Sequence, residues 1–206
     1  QLEEEDSGFR LKLSGQRSDD LRVPNFISNE EPVKGAQLGS TYHKILDNKS
    51  ILNLSSKEDL NKYLTSLYNS GSLTLEELES IDKDRLLIFL NSDLAKRMSR
   101  ASKENCLYTE AQFIIGLKAN EINNQLKSDE LVLVQGVIDV YFEEDGELVL
   151  VDYKTDKVDK RYGEETLRKR YSIQLDYYER ALRQLTNKNV KERIIYSFEL
   201  NKAIEI

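Results

Sequence analysis

Two apolar segments joined by a tight turn constrain the fold of this chain more than any other part of its sequence. The first is ELVLVQGVIDVYF (130–142), and the second is LVLVDYK (148–154). Between them lies Asp145-Gly146, a dipeptide typical of two-residue hairpin turns. The second segment is apolar on both faces, which is typical of a strand covered on both sides. The pattern therefore predicts a β-hairpin inside a covered sheet.

Charged residues interrupt both segments at similar distances from the turn. A hairpin that turns at Asp145-Gly146 places Asp139 roughly opposite Asp152, and Lys154 follows on the same strand face as Asp152. A carboxylate at the end of a buried strand is costly unless it is paired or bound to a metal. Two convergent aspartates suit Mg²⁺ or Mn²⁺, and a neighbouring lysine can orient water. A buried Asp–Lys ion pair beside a separate aspartate is the structural alternative.

The remaining sequence predicts helices before this hairpin and one long helix after it. Helical periodicity runs from Leu38 to about Asn53, and capping patterns start further helices at Ser56 and Thr74, with helical sequence continuing to about Ala101. CLYTEAQFIIGL predicts a strand before the hairpin, and ERIIYSFEL predicts a closing strand. GEETLRKRYSIQLDYYERALRQLT predicts a long amphipathic helix ahead of that last strand. This order predicts one α/β domain in which helices cover a mixed β-sheet.

The first residues show no such periodicity. Pro24 and Pro32 punctuate residues 1–35, for which we expect an irregular N-terminal arm or linker, with the folded domain over 36–206. The chain starts with Gln1 rather than methionine, and its opening residues look like the interior of a longer sequence. We therefore interpret the chain as a fragment of a longer protein.

Charge and cysteine content narrow the functional classes. The net charge of −7 has the wrong sign overall for a nucleic-acid-binding protein. Seven basic residues nevertheless form a local ridge that could attract a polyanion or simply be a solvated surface: Lys154, Lys157, Lys160, Arg161, Arg168, Lys169 and Arg170. The single cysteine, Cys106, excludes an internal disulfide and fits a reducing cytoplasm. No apolar run approaches the roughly 18 residues that span a membrane, so we expect no membrane partner.

Four short motifs resemble, in chain order, those of RecB-type nuclease domains in the PD-(D/E)xK superfamily. They are G-x-x-x-H at Gly39 and His43, G-x-x-D at Gly136 and Asp139, D-Y-K at Asp152, Tyr153 and Lys154, and Q-x-x-x-Y at Gln174 and Tyr178. The sequence is most similar to the nuclease domain at the C-terminus of bacterial AddA helicase–nuclease subunits. The resemblance implies an α/β, restriction-endonuclease-like core with a mixed β-sheet flanked by helices and an N-terminal helical segment.

The resemblance also implies roles for the residues around the hairpin. Asp139 and Asp152 would bind a divalent metal, Mg²⁺ or Mn²⁺, through their side chains. His43 and the carbonyl oxygen of Tyr153 would be further metal ligands. Lys154 would position the attacking water, which makes Asp139, Asp152 and Lys154 the implied catalytic residues.

The resemblance implies supporting roles for residues outside the hairpin. Gln174 and Tyr178 share a helix face and would contact DNA or support the lysine, although core packing explains the same stripe, which Tyr171 continues. Glu110 matches a glutamate in the strand before the hairpin, with an exposed strand residue as the alternative. Asp156 is interpreted as a turn former or a neighbour of the site.

The implied function is a metal-dependent DNA nuclease that hydrolyses phosphodiester bonds. It would be part of an AddAB- or RecBCD-like helicase–nuclease that processes double-strand DNA ends for recombinational repair. Its partners would be DNA, as a single strand fed by a helicase, helicase domains upstream in the same chain, and an AddB-like second subunit. The chain has no G-x-x-x-x-G-K-[ST] phosphate loop, so ATP use would belong to the upstream part.

Two other interpretations remain open. The chain could be a non-catalytic DNA-binding or scaffolding module with a decayed nuclease site, although Asp139, Asp152 and Lys154 are all present. It could also be a stand-alone relative, such as a phage exonuclease or a CRISPR-associated nuclease with an iron–sulfur cluster. The single cysteine argues against the last of these.

Overall fold

Helices precede a central hairpin, and one long helix follows it, in the computed structural model. The structure describes residues 10–13, 30–118 and 130–206, with side chains described from residue 37 onward. The helices are α1 (Glu30–Leu46), α2 (Lys57–Asn69), α3 (Leu75–Ser80), α4 (Lys83–Asn91), α5 (Asp93–Lys103) and α6 (Gly163–Thr186), with a 3₁₀ turn at Lys49–Asn53. The strands are β1 (Arg10–Leu13), β2 (Leu107–Lys118), β3 (Leu131–Glu144), β4 (Glu147–Lys154), β5 (Val190–Ser197) and β6 (Lys202–Glu205).

These strands form one mixed sheet around β3. Strand β2 pairs antiparallel with β3 along most of its length. Because β2 occupies one edge of β3, strands β1 and β4 share the other edge. Strand β1 pairs with residues 132–135 of β3, and β4 pairs with residues 140–144. Strand β4 also pairs with β5, in parallel, and β5 pairs antiparallel with β6. The predicted α/β fold with a mixed sheet flanked by helices is confirmed.

Helices cover both faces of the sheet. Val149, Val151 and Tyr153 of β4 pack into a core formed with α1–α5, whereas Leu148 and Leu150 pack into a second core formed with α6. The apolar character of β4 on both faces thus reflects burial on both sides, as the sequence indicated. Within the described ranges, no helix has the length and apolarity needed to cross a membrane.

The N-terminal region departs from the expected irregular arm. Residues Arg10–Leu13 form β1, and α1 already begins at Glu30. Pro32 lies in the first turn of α1, where backbone amides have no partner inside the helix, so its missing N–H costs little. Residues 1–9 and 14–29 lie outside the described part of the chain.

The helix boundaries also differ from the expected ones. Helix α1 ends at Leu46, and the predicted continuation to about Asn53 is instead the 3₁₀ turn. The helical sequence that runs to Ala101 is divided at Ser92, which ends α4 and caps α5 by accepting a hydrogen bond from the amide of Ala95. Ser56 caps α2 as predicted. The short strand β6 was not predicted.

An ion-pair network ties α5 to the sheet. The Arg97 guanidinium donates to both carboxylate oxygens of Glu144 on β3, at 3.0 and 2.7 Å. It also donates to both oxygens of Glu192 on β5, at 2.9 and 2.7 Å. Lys191 lies 2.9 Å from the Glu144 carboxylate. Because each Arg97 interaction is bidentate, the network fixes the orientation of α5 over two strands.

Alanine at two helical glycines is expected to have opposite effects. A Cβ on Gly163, at the start of α6, would lie 2.8 Å from Val158 Cγ2 and 3.2 Å from Leu200 Cδ1. We expect Gly163→Ala to lower the free energy of unfolding by about 1–3 kcal/mol through overpacking. A Cβ on Gly39 would lie 3.5 Å from Thr155 Oγ1, an ordinary contact. Gly39→Ala should therefore raise the free energy of unfolding by about 0.5–1 kcal/mol in urea denaturation. A destabilised Gly39→Ala or an unaffected Gly163→Ala would contradict these packing distances.

Candidate active site

Side chains from three elements meet beside the end of the β3–β4 hairpin. His43 comes from α1, Glu110 from β2 and Asp139 from β3. His43 Nδ1 lies 3.4 Å from Glu110 Oε1 and 3.4 Å from Asp139 Oδ1. Ligand atoms of these residues all lie within 4.8 Å of one another. This spacing allows all three residues to face one cation.

The sheet is irregular where Glu110 and Asp139 lie. The β2–β3 pairing keeps one register along its length, but these two residues drop out of it. Ile138 packs in the α6 core and Val140 in the opposite core, although residues two apart normally share a face. Glu110 has a φ of 47°, in the left-handed region that non-glycine residues rarely adopt within a strand. Such an outlier in mid-strand is typical of functional sites.

Asp139 also completes the strand pairing. The pairing of β3 with β4 ends at Val140 and Val151, so Asp139 and Asp152 are the next residue on each strand. The Asp139 Oδ2 atom accepts a hydrogen bond of 2.8 Å from the backbone amide of Tyr153. A side-chain carboxylate thus takes the place of a backbone acceptor where the ladder stops, and this fixes its orientation.

Asp152 and Lys154 form a close ion pair at the end of β4. Asp152 is fully buried, and Lys154 Nζ lies 2.7 Å from Asp152 Oδ2. Neither Asp152 oxygen has a hydrogen-bond partner of normal geometry among the described residues. Lys154 Nζ also lies 4.3 Å from the centroid of the Tyr171 ring. A buried carboxylate with spare acceptor capacity is unusual, and it can receive a further ligand.

Asp139 and Asp152 place two carboxyl groups in a buried part of the site. Burial and then repulsion from Asp152 raise the pKa of Asp139 to about 7. Burial alone would lower the pKa of His43, but Glu110, Asp139 and Asp152 outweigh it and the pKa is raised. Burial likewise opposes the charge of Lys154, whereas Asp152 and Asp139 raise its pKa above the ordinary value. Lys154 is therefore a cation at neutral pH.

Gln174 and Tyr178 lie on α6, and the charges of Asp152 and Asp139 act on the Tyr178 hydroxyl. Gln174 Nε2 donates a 2.7 Å hydrogen bond to the Tyr178 hydroxyl. The two residues are only 7% and 1% exposed. Burial, followed by the charges of Asp152 and Asp139, raises the pKa of Tyr178. Of the two roles that the resemblance implies, this burial favours support of the site over direct contact with DNA.

The structure places the sequence-predicted residues in two groups. His43 and Asp139 lie together, and Glu110, which was predicted only to bind DNA or support the site, belongs to the same group. Asp152 is not a member of that group of three, and its carboxylate faces Lys154.

Two further placements bear on the predicted roles. Tyr153 reaches the site through its backbone amide, while its ring lies in the core formed with α1–α5. Tyr171, interpreted as core packing, contacts the lysine. Its position three residues before Gln174, on the same helix face, was the one sequence signal for this contact.

Known proteins are similar to this chain over most of its length. A family model described as the PD-(D/E)XK nuclease superfamily matches residues 14–204. An ATP-dependent helicase/nuclease subunit from Lachnoclostridium phytofermentans is 39% identical over 229 aligned positions, covering 95% of this chain and 17% of the relative. Proteins of the same name from Clostridium novyi and Clostridium botulinum are 34% and 35% identical, covering 90% and 91% of this chain.

The match covers most of this chain but only a small part of each relative. The aligned part is 15% of the Clostridium novyi protein and 14% of the Clostridium botulinum protein, so this chain spans less than a fifth of the relatives' length. The predicted resemblance to the AddA nuclease domain is confirmed. Because the family model matches nearly the whole sequence, this chain belongs to the PD-(D/E)XK nuclease superfamily.

Proposed function

We propose that this chain is a metal-dependent nuclease domain that hydrolyses phosphodiester bonds in DNA. The observation that carries the proposal is the buried Asp152–Lys154 pair beside the group formed by His43, Glu110 and Asp139. Five ionisable groups converge at a strand end, and a stable core gains little from such an arrangement. Such a cluster, in which the pKa of Asp139 is raised, is typical of catalytic sites.

The donor set suits a divalent cation. Glu110, Asp139 and Asp152 supply three carboxylates, and burial followed by repulsion from Asp152 raises the pKa of Asp139. A cation between them would relieve this repulsion. His43, Glu110 and Asp139 would hold it, with Asp152 and the carbonyl of Tyr153 as further proposed ligands. Oxygen ligands with one imidazole suit Mg²⁺ or Mn²⁺, which, when bound, stabilises phosphate charge and makes bound water more acidic.

Besides the proposed metal ion, the site has a cation of its own, the ammonium group of Lys154. Its ammonium is held by Asp152 at 2.7 Å, and its side chain is only 11% exposed. An ammonium group carries hydrogen-bond donors and no acceptor. It orients the attacking water and stabilises the charge that develops on the phosphate oxygens. Asp139 keeps its position through the Tyr153 amide, which limits reorganisation of the site during the reaction.

The proposed biological setting follows from the names of the relatives. Those proteins are helicase/nuclease subunits, and this chain matches only part of them. We infer that the domain cleaves a DNA single strand fed by helicase domains upstream in the same polypeptide, together with an AddB-like second subunit. The complex would process double-strand ends for recombinational repair in the cytoplasm. ATP would be used by the helicase part, so cleavage by this chain needs metal and no ATP.

Cleavage of labelled single-stranded DNA by the 206-residue chain tests the proposal. The assay contains Mg²⁺ or Mn²⁺ and no ATP, and it compares the wild type with Asp152→Ala and with a chelator control. We expect cleavage by the wild type that both the substitution and the chelator remove. A wild type that neither cleaves DNA nor binds either metal in calorimetry would favour the non-catalytic scaffolding alternative.

A further inference from the structure

The lysine of the site is held between two different groups. Its ammonium faces the Asp152 carboxylate at 2.7 Å and the Tyr171 ring at 4.3 Å from the ring centroid. A cation over the face of a tyrosine ring is attracted by the negative charge of that face. Lysine has a flexible stem with rotatable donors, so one anionic partner alone leaves its direction open. The ring restricts Lys154 from a second side.

The Tyr171 ring is in turn held by its hydroxyl. Tyr171 donates a 2.7 Å hydrogen bond to Asp156 Oδ1, and Arg170 Nη1 donates to the same oxygen at 2.7 Å. Asp156 lies two residues after Lys154 in the chain, whereas Tyr171 lies on α6. The contact therefore couples the segment that follows β4 to the helix that packs over the lysine.

We propose that Tyr171 is a positioning residue that aims the Lys154 ammonium through its ring face, with Asp156 fixing the angle of the ring. This inference rests on the proposed function, because Lys154 matters only if the site cleaves phosphodiesters. Core packing alone explains why an aromatic residue is buried here. It explains neither the cation on the ring face nor the carboxylate at the hydroxyl.

Three variants separate the ring from the hydroxyl. Tyr171→Leu removes the ring face, and we expect kcat to fall about 100-fold with little change in KM, because a misaimed group affects the chemical step. Tyr171→Phe keeps the face and loses only the anchoring bond, so a loss of about two- to tenfold is expected. Asp156→Ala should resemble Tyr171→Phe, since it frees the same ring.

Leu167→Ala is the matched control for packing. Leu167 lies one turn earlier on α6, is fully buried in the same core, and is not part of the site. The control should lower thermal stability as Tyr171→Leu does, yet keep kcat near the wild-type value at a temperature where both variants are folded. Equal losses of kcat in Leu167→Ala and Tyr171→Leu would overturn the proposal, because the effect would then follow core packing.

Nuclear magnetic resonance of ¹³C-labelled lysine tests the contact without any catalysis. Methylene protons over an aromatic face resonate upfield, so the ε-methylene signal of Lys154, assigned by its loss in Lys154→Arg, should be shifted. The shift should persist in Tyr171→Phe and disappear in Tyr171→Leu. A signal that is unchanged in Tyr171→Leu would overturn the inference.

The two readouts separate the inference from the proposed function. If the wild type cleaves DNA and Tyr171→Leu cleaves equally fast, only the positioning role fails. If the wild type cleaves nothing, the proposed function fails, and the positioning role of Tyr171 fails with it.

Discussion

Lys154→Met is expected to remove most DNA cleavage while leaving metal binding in place. We expect kcat to fall by about 10³-fold, the effect of removing one preorganised charge from a buried catalytic site. Methionine has a similar length and packs in apolar surroundings, so the Tyr171 face stays covered. The Asp152 carboxylate loses its partner, which destabilises the metal-free protein, but a divalent cation can offset that loss. Single-turnover cleavage and Mn²⁺ calorimetry measure the two properties separately.

Asp139→Asn provides the contrasting variant. Asparagine keeps an oxygen that can accept the Tyr153 amide, so the hairpin should remain folded. It removes a carboxylate from the group formed with His43 and Glu110, so metal affinity and cleavage should both fall. A Lys154→Met protein that cleaves within about tenfold of the wild-type rate would contradict the role given to Lys154. The same role fails if Lys154→Met loses metal binding as completely as Asp139→Asn does.

Arg97→Leu should produce the second large effect, a loss of stability with no direct effect on the site. The Arg97 side chain is 21% exposed, and it holds Glu144 and Glu192 through bidentate bonds. Removing it leaves two facing carboxylates on β3 and β5, although Lys191 still contacts Glu144. We expect the free energy of unfolding to fall by about 2 kcal/mol at pH 7, between the values for exposed and for fully buried pairs.

The stability lost in Arg97→Leu should become smaller as the pH falls. The Arg97 guanidinium, together with Lys191, lowers the pKa of Glu144 from 4.5 to about 2. A lowered carboxyl pKa contributes stability that is fully present above about pH 4.5 and is lost as the pH falls through about 2. The difference between wild type and variant in urea denaturation should therefore shrink as the pH falls from 4.5 towards 2.

Arg100→Leu is the matched control for that experiment. Arg100 lies one turn later on α5, is exposed, and forms no ion pair within the described residues. Its replacement should change the free energy of unfolding by no more than about 0.5 kcal/mol at any pH. If Arg97→Leu changed the free energy of unfolding as little as this control does, the ion-pair network would not contribute to stability.

The sequence predicted the hairpin and the buried strand because their signals are local. Asp145-Gly146 defines the turn, and apolar residues on both faces of β4 required two covering layers. The long helix α6 followed from its periodicity. The short strands β1 and β6 were not predicted, because strands of four residues carry little local signal. Strand β1 forms only through pairing with β3, far along the chain, and β6 forms by pairing with the neighbouring strand β5.

The site was harder to predict where backbone geometry decided it. His43, Asp139, Asp152 and Lys154 stood in recognisable motifs, but grouping Glu110 with His43 required a left-handed residue within a strand. Residue propensities do not foresee such strain. Tyr171 had the spacing of an ordinary buried aromatic, and only the three-dimensional contact with Lys154 distinguishes the two roles.

The hydrogen bond between Asp139 and the Tyr153 amide has a consequence for how such domains would lose activity over evolutionary time. Selection for folding alone would retain an acceptor at position 139, because a buried amide would otherwise be left unpaired. Asp152 accepts no backbone hydrogen bond among the described residues, and its partner is Lys154, so the two form a buried ion pair that adds little to stability. In a lineage released from nuclease function, the pair at positions 152 and 154 should therefore be replaced before position 139 changes. An aspartate at position 139 would be weak evidence that a relative is active, and one at position 152 would be strong evidence.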